Sequence, residues 1–384
     1  MADRSPWRLA LGTASALGLA RFAYGLLLPD MRQDLGWSLA RGGVLTTANG
    51  AGYLVGALVT AACVRRWGAT ATFRAGMVVT ALALAATAGG DGAPALDAAR
   101  AAAGLGGALV FIAGGLIAAR AGAAALTVYF AGTGLGIGLS GLALPLLLDR
   151  HPGSWPLAWA ALALGAGLAT AVSWAAARTD DHSPAPGGPG AGGGVRLRPL
   201  WRAAAAYVLF AAGYLSYPTF LSTALAARDT PTWQVALLWG LLGAGVLAAP
   251  LVWRVPVGRW PESRLLTVLL ALLTAAGALA LPGLPAPAIT VSVLLYGTSF
   301  MVVPATVTAL IRRVAPPAAL PSAMGAFTVL FSLGQTLGPW AAGALADRTA
   351  PAATLLWTAA LCAAAAALTA GQRWQAPDRE DART

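Results

Sequence analysis

Twelve predominantly apolar stretches of about twenty residues follow one another along this chain, and that pattern limits it to one kind of structure. They run over 9–29, 40–63, 71–89, 94–118, 123–148, 155–177, 202–225, 233–253, 264–282, 287–311, 322–345 and 351–370, each bounded by charges, Gly/Pro or Trp. Twenty residues of helix cover the roughly 30 Å of a bilayer's hydrocarbon core. Lipid offers no partner to backbone amides, so spans of this length must be helices. With 58% apolar and 10% charged residues in 384, the chain has too little polar surface to cover a soluble globule. The expected fold is an all-α polytopic membrane protein.

Orientation follows from arginine, because the sequence contains no lysine and all 25 basic residues are Arg. With both termini inside, 18 arginines lie on the cytoplasmic side. Arg32, Arg41, Arg150, Arg228 and Arg348 lie opposite, and Arg21 and Arg100 are left within the membrane. The positive-inside rule therefore favours cytoplasmic termini and an even number of spans. The net charge of +11 is mostly this bias, so it is not read as nucleic-acid binding. Trp7, Trp37, Trp155, Trp201, Trp233, Trp253 and Trp374 fall at or near span ends, where indoles favour the headgroup region. Cys63 and Cys362 sit in or beside apolar spans and predict no disulfide framework. The first apolar run is span-length without a convincing cleavage site, and reads as a helix that is kept.

One segment breaks the pattern. Residues 180–199 read DDHSPAPGGPGAGGGVRLRP, the composition of a flexible linker without a core. It divides the chain into 1–179, with six spans, and 200–384, with six more and a short tail. Pro6-Trp7-Arg8 is echoed by Leu200-Trp201-Arg202, and Tyr24 by Tyr217. Two pseudo-symmetric six-helix bundles joined by a cytoplasmic loop is the arrangement of transporters that rock around a central site.

Several motifs resemble the major facilitator superfamily. Leu96, Arg100, Gly104 and Ala108 recur every fourth residue in LDAARAAAGLGGA, like that superfamily's fourth helix, and GQTLGPWAAGALADR (334–348) resembles the end of its eleventh. GLARFAYGLLLPDM (18–31), NGAGYLVGAL (49–58), YFAGTGLGIGLSGL (129–142) and GYLSYPTFL (213–221) are similar to its bacterial YbfB/YjiJ-like branch. The resemblance implies a secondary transporter of the cytoplasmic membrane, working by alternating access around a cavity lined by helices one, four, seven and ten. In one place the chain departs from the pattern. The loop between helices two and three reads Arg65-Arg66-Trp67-Gly68-Ala69-Thr70 and lacks the usual Asp, so any latch between the halves must use other contacts.

Arg21 is the most expensive residue in this scheme. Near the midplane its charge costs at least ~2.5 to 3.5 kcal/mol unless it meets water, a partner or a ligand. It reads as a clamp for an anionic substrate, as a structural partner of Asp97 or of backbone carbonyls, or as a gating charge. Arg100 is divided evenly between substrate and structure, with Asp97 one turn away on the same helix. Tyr24, Tyr129, Tyr214, Tyr217 and Tyr296 lie at similar depth and are candidate substrate-binding hydroxyls. Asn49 and Gln335 read more readily as hydrogen-bonding amides between helices, and Gly132, Gly134, Gly136 and Gly138 as close-packing glycines. No carboxylate lies mid-membrane, so proton coupling would use Asp30, Asp97 or the substrate's own proton.

Without lysine there is no Walker A phosphate grip, and no HExxH or Cys/His cluster suggests metal or acid–base catalysis. The reading is a non-enzymatic, cofactor-free, metal-free secondary transporter for a small organic solute, with an anion among the candidates. It is expected to act as a monomer in the bilayer, with a proton gradient among the candidate driving forces. The alternatives are a proton-coupled efflux antiporter for hydrophobic or aromatic compounds, and a membrane scaffold or sensor that does not transport.

Overall fold

The computed structural model describes residues 6–90, 92–175, 200–316 and 319–372, so the linker expected at 180–199 and the tail beyond 372 lie outside the described residues. Each expected span has a helical counterpart, and no strand occurs among the described residues. The first helix, α1, is Pro6–Leu35. A helical stretch of 50 residues, Leu39–Ala88, comes next. At 1.5 Å per residue it would reach about 75 Å, more than twice a bilayer's core. It bends at Gly68, whose φ of 82° and ψ of 162° suit glycine alone, into α2 (39–67) and α3 (69–88). There follow α4 (Ala93–Ala121), α5 (Ala123–Arg150) and α6 (Trp155–Ser173). The second half holds α7 (Trp201–Ala226), α8 (Thr232–Val252), α9 (Glu262–Leu279), α10 (Pro287–Val314), α11 (Leu320–Arg348) and α12 (Ala353–Thr369).

Because successive helices run in opposite directions, the connections gather at two ends. One, the Asp347 end, holds 36–38, 89–90, 92, 151–154, 227–231, 280–285 and 349–352. The other, the Trp260 end, holds the Gly68 bend, Gly122, 174–175, 253–261, 315–316 and 319. The first six helices meet the last six chiefly through α1 with α7, α2 with α11, and α5 with α8. The glycines of α5 divide this work between two faces. A Cβ on Gly132 or Gly136 would lie 2.1 or 2.2 Å from the Ala10 or Ala14 carbonyl of α1, and one on Gly134 would lie 2.6 Å from the Gly243 carbonyl of α8. Residues two apart on a helix face nearly opposite ways, so one repeat serves two partners.

Hydrogen bonds between described residues of the two halves are confined to the middle and to the Asp347 end. Asp347 of α11 accepts from the Leu39 and Ala40 amides at the start of α2, both at 2.8 Å. Thr47 donates to the Thr336 carbonyl at 2.6 Å, Thr232 donates to Asp149 at 2.7 Å, and Thr46 and Thr219 share a 3.3 Å bond. These contacts latch the end opposite the loop at 65–70, so they do not replace the Asp that this loop lacks. The Asp347 carboxylate sits on the N-terminal turn of α2, where helix polarity and orphan amides both favour it.

The tryptophan expectation holds at Trp7, Trp201 and Trp233, which are exposed at helix ends. Trp155 and Trp253 differ, being buried against the protein. Each indole N–H finds a protein acceptor there, Asp34 at 2.7 Å for Trp155 and the Thr298 carbonyl at 2.8 Å for Trp253, so neither needs the headgroup layer. Trp374 lies outside the described residues.

Candidate functional site

Three helices lose their regular form at mid-depth, and the interruptions meet. In α1, residues Ala14–Phe22 widen into a π-helix, closed where the Ala23 amide reaches the Gly18 carbonyl at 3.0 Å. Such segments recur at functional sites. α7 breaks at Leu215 and α10 at Phe300–Met301. Pro218 and Pro304 explain both breaks, because a proline supplies no amide to the carbonyl four residues back and its ring crowds that turn. The carbonyl that Pro218 frees, Tyr214 O, accepts the Tyr296 hydroxyl of α10 instead. Phe22 meets Phe300 edge-on at 5.5 Å, joining the disturbed turns of α1 and α10.

Arg21 projects from the π segment into this region, 93% buried. Its Nη2 donates to Gln335 Oε1 of α11 at 2.7 Å, and the Tyr214 hydroxyl donates to the same oxygen at 3.0 Å. Two donors on one oxygen fix the amide's orientation, because the NH₂ group could accept from neither. Arg21 Nε and Gln335 Nε2 are buried without a partner. The guanidinium lies 5.0 Å from the Tyr53 ring of α2. Behind Tyr214 stands an aromatic wall: it stacks on Phe210 at 5.0 Å and on Phe331 at 5.6 Å, and Phe331 stacks on Tyr207 at 4.8 Å. The centre therefore offers a cation and spare donors on one side and flat apolar surface on the other.

Arg100 is 1% exposed and is held differently. Its guanidinium lies 4.9 Å from the Trp159 ring and 5.5 Å from that of Tyr24, which stack on each other. Its Nε and Nη1 have no hydrogen-bond partner. Two aromatic faces replace a counter-ion, and for desolvated pairs such contacts reach about 2 kcal/mol or more. The local pair with Asp97 does not form, and neither does a pair between Asp97 and Arg21. Asp97 accepts from Arg41 Nη1 at 2.8 Å, and Arg41 also donates to the Ala93 carbonyl at 3.2 Å. Asp97 lies in the second turn of α4, near the Asp347 end, where Arg41 at the start of α2 is the nearer cation. Asp30 is also occupied, accepting from the amides of Gly153 at 3.0 Å and Trp155 at 3.1 Å and so capping α6. Neither candidate coupling carboxylate lies beside Arg21.

The tyrosines part company. Tyr214 reaches the centre, and Tyr296 braces its backbone. Tyr217 stacks on Tyr296 at 4.2 Å and shares a 2.6 Å hydrogen bond with Ser292, deeper in the second half. Tyr24 donates to the Gly42 carbonyl at 2.7 Å and forms part of the Arg100 cage. Tyr129 donates to the Val110 carbonyl at 2.7 Å within a separate apolar cluster of the first half, away from Arg21. Asn49 bonds the Arg100 carbonyl at 3.2 Å, the interhelical role expected of it. Gln335 also bonds between helices, and becomes the hub of the centre by doing so. Tyr53 was not singled out from the sequence, although it lies one turn beyond Asn49 in the motif NGAGYLVGAL.

A sequence profile of the family described as "Uncharacterised MFS-type transporter YbfB" matches residues 13–372. Curated protein sequences give no match. Among solved structures the chain is similar to the nucleoside transporter NupG (D323A mutant), with a TM-score of 0.71 and 14% identity, covering 94% of this chain and 98% of that one. It is similar to the human organic anion transporter MFSD10 (TETRAN), with a TM-score of 0.67 and 18% identity over 95% and 99% of the two chains. It is also similar to a D-xylose-proton symporter, with a TM-score of 0.73 and 11% identity over 96% and 97%. At these identities the likeness is one of fold.

Proposed function

The chain belongs to the YbfB family of major facilitator superfamily transporters, and from that premise we propose that it carries a small carboxylate-bearing organic solute across the cytoplasmic membrane, gripping the carboxylate with Arg21. One observation carries this reading. A buried guanidinium stands at the junction of the two halves with no carboxylate among the described residues to neutralise it, beside a second unpartnered donor, Gln335 Nε2. A planar anion accepting from both satisfies what the protein leaves open. The aromatic wall around Tyr214 suits a flat apolar body on the same solute. The neighbour named as an organic anion transporter is consistent with this class of substrate.

The two bundles, 1–179 and 200–384, would rock about this site. With both termini in the cytoplasm the Asp347 end faces outward, and the contacts gathered there describe a transporter whose outer door is shut. The described carboxylates all lie in connections or within two turns of a helix end, so a proton that accompanies transport travels on the substrate's own carboxyl group. The molecule acts as a monomer. The efflux reading draws on the same aromatic wall, but the Arg21–Asp97 pair that would favour it does not form, because Asp97 is bound to Arg41.

Vesicles containing the full chain, with an imposed proton gradient, would be screened for uptake and export of organic acids, amines and hydrophobic drugs. Selective movement of a carboxylate that Arg21→Lys weakens and Arg21→Ala abolishes, at normal membrane levels, is the expected result. Transport of neutral or cationic compounds that is indifferent to Arg21 would overturn the reading.

A further inference from the structure

A second candidate site lies away from Arg21, at the Trp260 end of the second half. There the first turn of α9, the last turn of α10 and the end of α12 surround a cavity of 560 Å³. Two arginines line it. Arg313 spends one nitrogen on Glu262, Nη1 to Oε2 at 2.6 Å, which neutralises the only carboxylate among the described residues of the lining. Arg264 has no carboxylate partner among the described residues, and its guanidinium lies 4.4 Å from the Trp260 ring. At that distance the ring attracts an otherwise exposed guanidinium.

The remaining chemistry of the wall points the same way. α9 begins after Pro261 with no side-chain cap, so the amides of Glu262, Ser263 and Arg264 have no partner within the helix. The Ser263 hydroxyl stands among them. The deeper wall is apolar, with Val268 and Leu310. The depth of the cavity in the fold is also marked. Arg–Trp pairs recur at this end, Arg8 with Trp7 and Arg202 with Trp201 both at 5.3 Å, and Arg74 with Trp174 at 4.8 Å. Tryptophans with arginine neighbours belong at the headgroup level of a bilayer.

We propose that this cavity binds a phosphate group on Arg264, Arg313 and the first turn of α9, presented by an anionic phospholipid headgroup or as the free ion. A forked guanidinium beside an indole ring, a second one next to it and an uncapped helix start together match the oxygens of a phosphate. Basic pockets between transmembrane helices at the headgroup level seat acidic lipids in this way.

The test uses the full chain purified in detergent, with binding followed by native mass spectrometry and by thermal shift. Phosphatidylglycerol, phosphatidylcholine and inorganic phosphate are titrated separately. Phosphatidylglycerol should bind in preference to phosphatidylcholine, and Arg264→Gln should weaken it about fivefold, the worth of one surface arginine against an acidic lipid. Arg264→Lys, which keeps the charge and loses the fork, should lie between. Arg202→Gln removes an Arg–Trp pair outside the cavity and should change nothing. Inorganic phosphate that competes with the lipid and shows the same Arg264 dependence would identify the free ion as a ligand, and lipid binding that phosphate leaves untouched would identify the headgroup. Equal binding of the two lipids with no phosphate effect, or equal losses from Arg264→Gln and Arg202→Gln, would overturn the proposal. No part of it depends on the central site, and none of these readouts involves transport.

Discussion

Gln335→Glu places a carboxylate where the proposed substrate's would lie. The change keeps the side chain's size and both donors to its oxygen, Arg21 at 2.7 Å and Tyr214 at 3.0 Å. It turns one neutral acceptor into a resident counter-ion. Two unit charges about 4 Å apart at an effective dielectric near 20 attract by about 4 kcal/mol. Desolvation of the new carboxylate offsets part of that. An incoming anion must compete with what remains, and at 1.4 kcal/mol per decade the expected loss of affinity is about 10²- to 10³-fold. Stability should be unchanged or raised, because a buried cation gains a partner. Gln335→Leu separates the two effects. It strands the Arg21 and Tyr214 donors at a cost of about 1–3 kcal/mol each, yet leaves the cation available to substrate. The assays are thermal melting in detergent and counterflow of the carboxylate identified by screening, in vesicles of matched protein content. Undiminished transport by Gln335→Glu, or a lower melting temperature than that of Gln335→Leu, would refute the argument.

Further outcomes follow from the contacts between the halves. Arg21→Ala and Asp97→Ala should act additively to within about 0.5 kcal/mol, because Asp97 pairs with Arg41; restored transport in the double variant would contradict that assignment. Asp347→Ala removes two bonds to the start of α2, and a loss of about 2 kcal/mol shifts the open-to-closed ratio at that end roughly 30-fold. Faster maleimide labelling of Thr46→Cys in that background is the readout, and unchanged labelling would count against the latch. Gly25→Ala puts a methyl 1.9 Å from the Pro218 carbonyl across the halves. It should insert and fold normally, label like the Asp347 variant and lose transport at least tenfold, whereas normal transport would show that this close approach is not needed in the cycle.

What could be read from the chain and what could not divide along a physical line. Apolar length fixes how many times the chain can cross a bilayer and obliges each crossing to be helical, because the backbone has no other partner there. Hence the span boundaries, the buried depth of Arg21 and Arg100, and the packing role of the α5 glycines were all legible from residue type and order. The proline breaks at 218 and 304 are equally local, since each follows from an amide that is missing. Spacing along one helix, however, says nothing about which other helix lies alongside. Asp97 is one turn from Arg100, yet its partner is Arg41, 56 positions away. Asp30 is a candidate proton carrier by depth alone, and the amides it caps belong to residues 153 and 155, far along the chain. Gln335 and Arg21 are 314 positions apart, and only the docking of α11 against α2 and α7 makes one amide the hub of the centre. Tyr53 acquires a role for the same reason. Local chemistry decided what each helix is and how deep its charges lie. Side-chain partnership between helices, set by how two bundles close on each other, was decided by the tertiary structure, because a polar group in a low-dielectric interior pairs with whatever donor or acceptor packing brings within 3 Å.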